Sequence, residues 1–280
     1  MLWPASGFTK GAAIDYYARV ADVILPHLEG RPITLVRFPD GVEAERFFEK
    51  RCPSHAPPWV RTARVRMGKA GDIDFCLCND RPTLIWLAQL AALELHPSLS
   101  RARAMERPTV AAFDLDPGAP AAIRECCRVA LRLRDMFHGL GLECFPKTSG
   151  SKGIQVYVPL NTKVTYEETK GFARAVARAL ERDDPELVTS KMAKRERPGR
   201  VFVDWSQNDR AKTTVAAYSL RCRERPTVST PLEWDEVRSG ARHGAKLRFE
   251  APDVLRRIER KGDLFAPVLE LEQRLPRAPG

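Results

Sequence analysis

The chain has 280 residues, of which 44% are hydrophobic and 29% charged, a balance that excludes disordered and low-complexity proteins. Lysine and arginine outnumber aspartate and glutamate by 46 to 36, and the resulting net charge of +10 favours an anionic partner such as nucleic acid. No apolar stretch is long enough to cross a bilayer and the first residues do not resemble a secretory leader, so we expect a cytoplasmic protein.

Hydrophobic periodicity divides the chain into alternating helices and strands. In chain order it predicts a helix over 14–28, strands over 33–38 and 73–78, a helix over 82–95, a strand over 109–115, a helix over 120–140, strands over 143–147 and 153–160, a helix over 165–182, strands over 201–204 and 216–221, and helix through the last 30 residues. This order predicts an α/β or α+β fold. No linker rich in proline, glycine or serine interrupts the chain, so we expect a single domain over residues 1–280.

The chain contains seven cysteines, an odd number that favours reduced thiols over a disulfide framework in a protein without an export signal. Cys52, His55, Cys76 and Cys78 could in principle supply four zinc ligands. Their C-x-x-H and C-x-C spacings are not the usual zinc-binding pair, however. Alternation along the strand predicted over 73–78 favours small core residues at Cys76 and Cys78 instead.

Two aspartates stand two residues apart at the end of the strand predicted over 109–115. Side chains two apart on a strand point to the same face, so Asp114 and Asp116 should project side by side. Two carboxylates this close repel each other unless a cation lies between them, and oxygen ligands favour Mg²⁺ or Mn²⁺. The alternative is a turn with Pro117 and Gly118 in which Asp116 only makes hydrogen bonds.

A loop with the sequence K-T-S-G-S-K-G, over 147–153, connects two predicted strands. Its glycines allow a ligand to approach the backbone, two of its hydroxyls donate hydrogen bonds and a lysine supplies a positive charge, which together suit a polyphosphate. The loop is not a P-loop, because the G-x-x-x-x-G-K spacing is missing and a strand follows it. A polar hairpin turn is the alternative interpretation.

Two later segments could complete such a site. Asp204 ends the apolar strand over 201–204, and with the D-x-D pair it could form a three-carboxylate cluster that holds two cations for in-line phosphoryl transfer. A solvated aspartate at a strand end is equally compatible with the sequence. Arg221 and Arg223 lie on one face of the next predicted strand, where arginines suit either phosphate binding or surface solvation.

Taken together and in this order, the motifs closely resemble one family. The matching segments are E-L-H-P at 94–97, F-D-L-D-P-G at 113–118, T-S-G-S-K-G at 148–153, V-D-W-S-Q-N at 203–208, Y-S-L-R at 218–221 and S-T-P-L-E-W at 229–234. They resemble the polymerase domain of bacterial ATP-dependent DNA ligase D, a member of the archaeo-eukaryotic primase superfamily. The resemblance covers nearly the whole chain. It implies a primase-type catalytic core with central mixed sheets flanked by helices.

The resemblance also implies roles for individual residues. Asp114, Asp116 and Asp204 match the catalytic aspartates that bind two Mn²⁺ or Mg²⁺ ions. The residues that match positions around the incoming nucleoside triphosphate are His96, Ser149, Ser151, Lys152, Gly153, Gln155, Arg197 and Arg221. The residues that match DNA-binding positions are Lys10, Arg37, Phe47, Phe48 and Lys50. Among these, Phe47 and Phe48 match aromatics that meet the template strand, and Lys10 matches a lysine that holds the 5′-phosphate of the downstream strand.

The chain departs from the family pattern at three positions. Gln155 stands where the family usually has a histidine, and a glutamine cannot carry the positive charge that would strengthen a phosphate contact. Val36 stands where a basic residue is common, and a second phosphate-binding lysine of the family would fall before Met1. We therefore expect weaker gap recognition, or a natural start that lies upstream, and an altered rate or sugar preference.

The implied function is template-dependent addition of nucleotides, with ribonucleotides preferred, to primer 3′ ends at gaps or breaks during repair such as non-homologous end joining. The implied partners are DNA and nucleoside triphosphates, with Ku and a separate DNA ligase as further candidates. We expect a stand-alone, monomeric, nucleoid-associated form. Two alternatives remain open. One is a catalytically idle nucleic-acid-binding relative, and the other is a D-x-D phosphohydrolase of the haloacid dehalogenase type, which Pro117 and the mid-chain position of the motif argue against.

Overall fold

A computed structural model describes residues 1–68, 71–244 and 247–276. The helices are α1 (Lys10–Leu28), α2 (Arg81–Gln89), α3 (Ile123–Gly139), α4 (Tyr166–Asp183), α5 (Trp234–His243), α6 (Ala251–Lys261) and α7 (Pro267–Glu270). The strands are β1 (Pro32–Arg37), β2 (Phe47–Glu49), β3 (Thr62–Arg66), β4 (Asp72–Leu77), β5 (Ala92–Pro97), β6 (Val110–Pro117), β7 (Phe145–Thr148), β8 (Ile154–Pro159), β9 (Val188–Thr189), β10 (Val201–Asp204), β11 (Leu220–Cys222) and β12 (Pro226–Val228). None of the helices in these ranges is long and apolar enough to cross a membrane.

The chain forms two compact units, and each consists of three segments. The first unit contains Met1–Met105, Ala211–Thr230 and Phe249–Asp263, and the second contains Glu106–Arg210, Pro231–Arg248 and Leu264–Gly280. The expected organisation as one domain over 1–280 stays a prediction.

The first unit is built on an antiparallel sheet in which β1 is central. The strand order is β2-β1-β4-β3, and β5 also pairs with β1. Helix α1 begins after Thr9, whose hydroxyl accepts a hydrogen bond from the backbone amide of Ala12 and so satisfies one of the free amides at the helix start. Its buried side includes Tyr17, whose hydroxyl donates to the carbonyl of Leu93 on β5. A separate hairpin pairs β11 with β12.

The second unit is built on a mixed sheet with the order β7-β8-β6-β10-β9. All neighbouring pairs are antiparallel except β9 and β10, which are parallel. Helices α3 and α4 pack against β6, and their contact is aromatic, since the ring of Phe113 lies 5.0 Å from Phe137 on α3 and 6.3 Å from Phe172 on α4. Strand β6, which carries the D-x-D pair, is therefore paired on both edges and anchored by buried rings.

The predicted fold class is confirmed, and several element bounds are corrected. The helix predicted over 82–95 ends at Gln89, because Ala91 adopts a left-handed backbone with φ of 54° and the chain then enters β5. The strand predicted over 216–221 begins only at Leu220, after Tyr218 with φ of 66°. The predicted C-terminal helix is limited to α6 and α7, and residues 277–280 of that prediction lie outside the described ranges.

The expectation that all cysteines are reduced is wrong for one pair. Cys52 and Cys76 form a disulfide, which also removes them as zinc ligands. The free cysteines among the described residues are all buried, and they are Cys78, Cys126, Cys127, Cys144 and Cys222. The burial of Cys78 agrees with its prediction as a small core residue. The sequence could not reveal the pair because it depends on how the segment before β3 packs beside β4.

Candidate active site

Four polar residues form a continuous row across the sheet of the second unit. Lys147 on β7 pairs with Gln155 on β8, Gln155 pairs with Asp114 on β6, and Asp114 pairs with Asp204 on β10. Directly opposite residues project from the same face of a sheet, and Asp116 shares that face because it lies two positions after Asp114. The sheet register thus brings together all three predicted catalytic aspartates.

Asp114 lies in an unfavourable electrostatic environment. Burial raises the pKa of its carboxyl to about 7, and the negative charges of Asp116 and Asp204 act in the same direction. A hydrogen bond from Gln155 and the charge of Lys147 oppose this rise only in part. Its Oδ1 is buried and accepts no hydrogen bond from any described residue. A buried oxygen of this kind is costly unless a cation or water satisfies it.

Asp204 is held by the residues that follow it. Its Oδ1 accepts from the amide and the hydroxyl of Ser206, at 2.9 and 2.5 Å, and its Oδ2 accepts from Nε2 of Gln207 at 2.7 Å. A carboxylate oxygen has two lone pairs, so Oδ2 can still bind one further donor or cation. These bonds fix the side chain, which is only 9% exposed, next to Asp114.

The three carboxylates suit a divalent cation chemically. Within the described ranges no three His, Cys, Asp or Glu side chains are already grouped as metal ligands. The unsatisfied Oδ1 of Asp114 and the remaining lone pair of Asp204 are nevertheless hard oxygen donors next to the carboxylate of Asp116, which is half exposed. Such oxygens are the ligands that Mg²⁺ and Mn²⁺ prefer.

The predicted phosphate loop follows β7 and turns back into β8. The hydroxyl of Ser149 accepts from the amides of Ser151 and Gly153, both at 3.2 Å. The side chains of Ser151 and Lys152 are exposed. A Cβ on Gly153 would lie 2.0 Å from the carbonyl oxygen of Leu115, so Gly153 is required for the loop to return against β6. Its predicted nucleotide contact is a separate role that stays a prediction.

Arg197 lies beside the same carboxylates. Its Nη1 is 4.0 Å from Oδ2 of Asp116, and its guanidinium stacks over the ring of Phe202 at 3.9 Å. The backbone of Arg197 is in turn pressed against Gly118, where any Cβ would lie 2.1 Å from its carbonyl oxygen. The Nη2 of Arg197 donates to the carbonyl of Met192 at 2.8 Å, and its buried Nε has no acceptor among the described residues. A guanidinium has five N–H donors, so the side chain retains hydrogen-bonding capacity.

The other two predicted nucleotide-binding residues meet in the first unit around a buried glutamate. Oε2 of Glu94 lies 3.0 Å from Nε2 of His96 and 3.4 Å from Nη1 of Arg221, and Oε1 accepts from the amide of Cys222 at 2.9 Å. Burial alone would raise the pKa of Glu94, but the His96 hydrogen bond and the charge of Arg221 lower it to about 2. The glutamate is thus ionised and holds both predicted residues in place.

The predicted DNA-binding residues all lie in the first unit, and most are on its surface. Phe47 and Phe48 on β2 are 42% and 63% exposed, which is unusual for phenylalanine and is compatible with base stacking. Lys10 is exposed at the start of α1. Lys50 reaches the carbonyl of Ala211 at 3.4 Å, and Arg37 is paired with Glu49 at 2.8 Å. Arg37 therefore has a structural partner, and its DNA contact stays a prediction.

Sequence reasoning gave no role of their own to two residues of these sites, although both lie in segments that it singled out. Lys147, which is fully buried, donates to Oε1 of Gln155 at 2.5 Å, and Glu94 holds His96 and Arg221 as described above. The signal for Lys147 was its alternation with Phe145 along a strand. The signal for Glu94 was its spacing of two from His96, which was hidden because that segment was predicted to be helical.

Comparison with known proteins places this geometry in a family. The LigD primase-polymerase domain family matches residues 9–265. The multifunctional non-homologous end joining protein LigD of Mycolicibacterium smegmatis is 44% identical over 271 residues, which cover 96% of this chain and 35% of the relative. The bifunctional non-homologous end joining protein LigD of Bacillus subtilis is 34% identical over 258 residues, which cover 92% and 41%. The chain thus spans well under half the length of these curated relatives.

A solved structure agrees with these matches. The polymerase domain from Mycobacterium tuberculosis ligase D, in complex with DNA, is similar with a TM-score of 0.90 at 41% identity, and the match covers 96% of this chain and 95% of that one. Polymerase domains of this kind are nucleotidyltransferases that use nucleoside triphosphates and divalent metal ions. The predicted family, the mixed α/β fold and the enzyme class are confirmed, and the chain belongs to the LigD primase-polymerase family.

Proposed function

We propose that this primase-polymerase extends primer 3′ ends on a DNA template at gaps or breaks, prefers ribonucleotides and serves non-homologous end joining. The observation that carries the proposal is the cross-strand row in which Asp114 and Asp204 pair next to Asp116, with one buried carboxylate oxygen unsatisfied. The DNA bound to the Mycobacterium tuberculosis domain and the end-joining names of the curated relatives support the substrate and the pathway.

In the proposed reaction the primer 3′-hydroxyl attacks the α-phosphorus of the nucleoside triphosphate and pyrophosphate leaves. Two Mn²⁺ or Mg²⁺ ions, when bound, would activate the hydroxyl and neutralise charge on the leaving group. Asp114, Asp116 and Asp204 would hold the ions. Ser206 and Gln207 keep Asp204 oriented through their hydrogen bonds, so this ligand does not have to be ordered when the substrate arrives.

We propose triphosphate contacts for residues of each unit taken by itself. In the second unit these are the loop residues Ser149, Ser151, Lys152 and Gly153 together with Arg197, whose Nε lacks an acceptor. In the first unit they are His96 and Arg221, which Glu94 holds. Gln155 is buried and its carbonyl is occupied by Lys147, so we propose that it acts on the triphosphate only indirectly, by orienting Asp114.

The DNA would lie along Lys10, Arg37, Phe47, Phe48 and Lys50. The exposed rings of Phe47 and Phe48 would stack on template bases, and Lys10 would bind a downstream 5′-phosphate. A protein with this substrate acts at the nucleoid in the cytoplasm, and Ku and a separate DNA ligase are the proposed partners of a monomeric enzyme.

Primer extension on gapped, 5′-phosphorylated DNA tests the proposal. The assay uses labelled ribonucleotides and deoxyribonucleotides with Mn²⁺ or Mg²⁺, and we expect extension that Asp114→Asn and Asp204→Asn reduce by roughly 10²-fold or more. The matched control is Asp135→Asn, which changes an exposed aspartate on α3 and should extend normally. DNA binding without extension would instead support the idle relative, and phosphate release from small esters would support the hydrolase.

A further inference from the structure

Arg46, Arg221 and Arg223 form a cluster of arginines in the first unit, and of these only Arg221 forms an ion pair with a described acidic residue. Arg221 forms an ion pair with Glu94 at 3.4 Å. Arg223, two residues later, forms no ion pair or side-chain hydrogen bond with any described residue, and its Nε is buried. Arg46 likewise has no ion pair within the described ranges, and its guanidinium lies 5.3 Å from the ring centre of Phe48.

The charges in this cluster do not balance. Burial lowers the pKa of Arg223, and the charges of Arg221 and Arg46 lower it further, while Glu94 is the carboxylate among the described residues that opposes them. The single negative charge of Glu94 is already shared among Arg221, His96 and a backbone amide. The half-buried guanidinium of Arg223 therefore lacks a counter-charge of its own, which favours binding of an anion there.

The fold holds Arg223 in this position. The carbonyl of Arg223 accepts a hydrogen bond from the indole of Trp3 at 2.8 Å, and Trp3 is itself almost fully buried. The next arginine, Arg225, is different because it is exposed and paired with Glu250. The unpaired state of Arg223 is thus a property of its site and is not shared by every arginine of this segment.

We propose that Arg46 and Arg223 form a phosphate-binding site next to Phe48. This inference rests on the proposed polymerase function. The planar, always charged guanidinium suits phosphate oxygens and can bind them with two parallel hydrogen bonds. Because Arg46 lies over the ring that would stack on a template base, the phosphate is that of a template-strand nucleotide. The triphosphate of the incoming nucleotide offers the same chemistry, and the experiment separates the two sources.

The test measures binding of a fluorescent single-stranded template and of a primer-template without nucleotide, by anisotropy over a series of salt concentrations. We expect Arg46→Gln and Arg223→Gln each to weaken template binding by about 3-fold or more at low salt and to reduce the slope of log K against log salt by about 0.7, the value for one single-strand phosphate contact. Arg225→Gln, whose charge is already neutralised by Glu250, is the matched control and should change binding less than twofold.

Each result has a defined meaning. If the two variants bind template normally but raise KM for the nucleotide, the site exists and its phosphate belongs to the triphosphate. If template binding, salt slope and KM are all unchanged, the site is refuted while extension by the wild type would leave the polymerase assignment intact. A wild type that neither binds DNA nor extends primers would overturn both proposals. Arg46 is exposed, so its variant keeps the test valid even if Arg223→Gln disturbs folding.

Discussion

Each unit contains a buried carboxylate at the centre of its proposed site, and the surroundings shift the pKa values of these two carboxylates in opposite directions. Glu94 in the first unit receives hydrogen bonds on both oxygens and lies next to Arg221, and its pKa falls to about 2. Asp114 in the second unit has one unsatisfied oxygen and two carboxylate neighbours, and its pKa rises to about 7. Burial disfavours the ionised form at both sites, so the partners determine the difference.

The contrast separates a positioning group from a ligand-binding group. A carboxylate whose bonds are all made within the protein contributes to folding and fixes its neighbours, which here are His96 and Arg221. A carboxylate left unsatisfied among like charges costs folding free energy, and the cost is recovered only when a cation binds. Substitutions at Glu94 and Asp114 should therefore change stability in opposite directions.

The largest effect is expected for Glu94→Gln, which should lower the free energy of unfolding at neutral pH by about 3 kcal/mol. The folded pKa of Glu94 lies below its ordinary value of 4.5, so its stabilising contribution is complete above pH 4.5 and is lost as the pH falls toward 2. Urea unfolding near neutral pH and near pH 3.5 should show the difference between wild type and variant shrinking in acid.

Glu259→Gln is the control for Glu94, because Glu259 lies in the same unit but is exposed, and its nearest cation, Arg19, is 3.8 Å away. This variant should be close to wild type at both pH values. A Glu94→Gln protein as stable as the wild type at neutral pH would show that Glu94 is not a satisfied structural carboxylate.

A smaller effect of opposite sign is expected for Asp114→Asn in metal-free buffer. The folded pKa of Asp114 lies above its ordinary value of 3.8, so the wild type loses stability as the pH rises from about 4 to about 7. The variant carries no charge there and should be more stable than the wild type by on the order of 2 kcal/mol near pH 8, with no advantage near pH 4. Thermal unfolding at the two pH values with a chelator present measures this.

The same thermal unfolding measured with added Mn²⁺ tests ion binding without relying on activity. A cation that binds the folded state raises the melting temperature. The melting temperature of the wild type should therefore rise on adding Mn²⁺, and that of Asp114→Asn should rise much less. Asp135→Asn again serves as the control and should respond to Mn²⁺ like the wild type. Equal gains in wild type and Asp114→Asn would show that the ion binds elsewhere.

Much of the site in the second unit could be predicted from the sequence, because it depends on patterns among residues that are close together in the chain. The alternation of side chains along β6 places Asp114 and Asp116 on one face, and Asp204 is the last residue of the apolar strand β10. The pairing of Asp204 opposite Asp114 could not be read in this way, since register between distant strands is set by packing of the whole sheet. The family resemblance provided that link.

The first site was harder to predict for a physical reason. The segment from Thr83 to Leu95 is apolar on both faces, so periodicity cannot distinguish one long helix from a helix followed by a buried strand. The left-handed turn at Ala91 and pairing with β1 decide the outcome. Only with β5 in place do Glu94 and His96 share a face. The burial of Lys147 could not be predicted from the sequence either, because the residues that surround it come from the neighbouring strand β8.

The smallest effect tests how Lys147 supports the unsatisfied carboxylate. The positive charge of Lys147 lowers the pKa of Asp114, although this is the weakest of the influences upon it, so Lys147→Met should move the Asp114 midpoint to higher pH by at most about one pH unit. Carboxyl carbon NMR can follow the midpoint, with the Asp114 signal assigned by its loss in Asp114→Asn. Lys170→Met, which removes an outer lysine paired with Asp209, should leave the midpoint in place. Lys147 also holds Oε1 of Gln155 and so keeps the amide of Gln155 directed at Asp114, and losing this orientation would raise the midpoint as well. A midpoint that stays in place or falls when Lys147 is replaced would therefore show that the lysine lowers the pKa of Asp114 neither by its charge nor through Gln155.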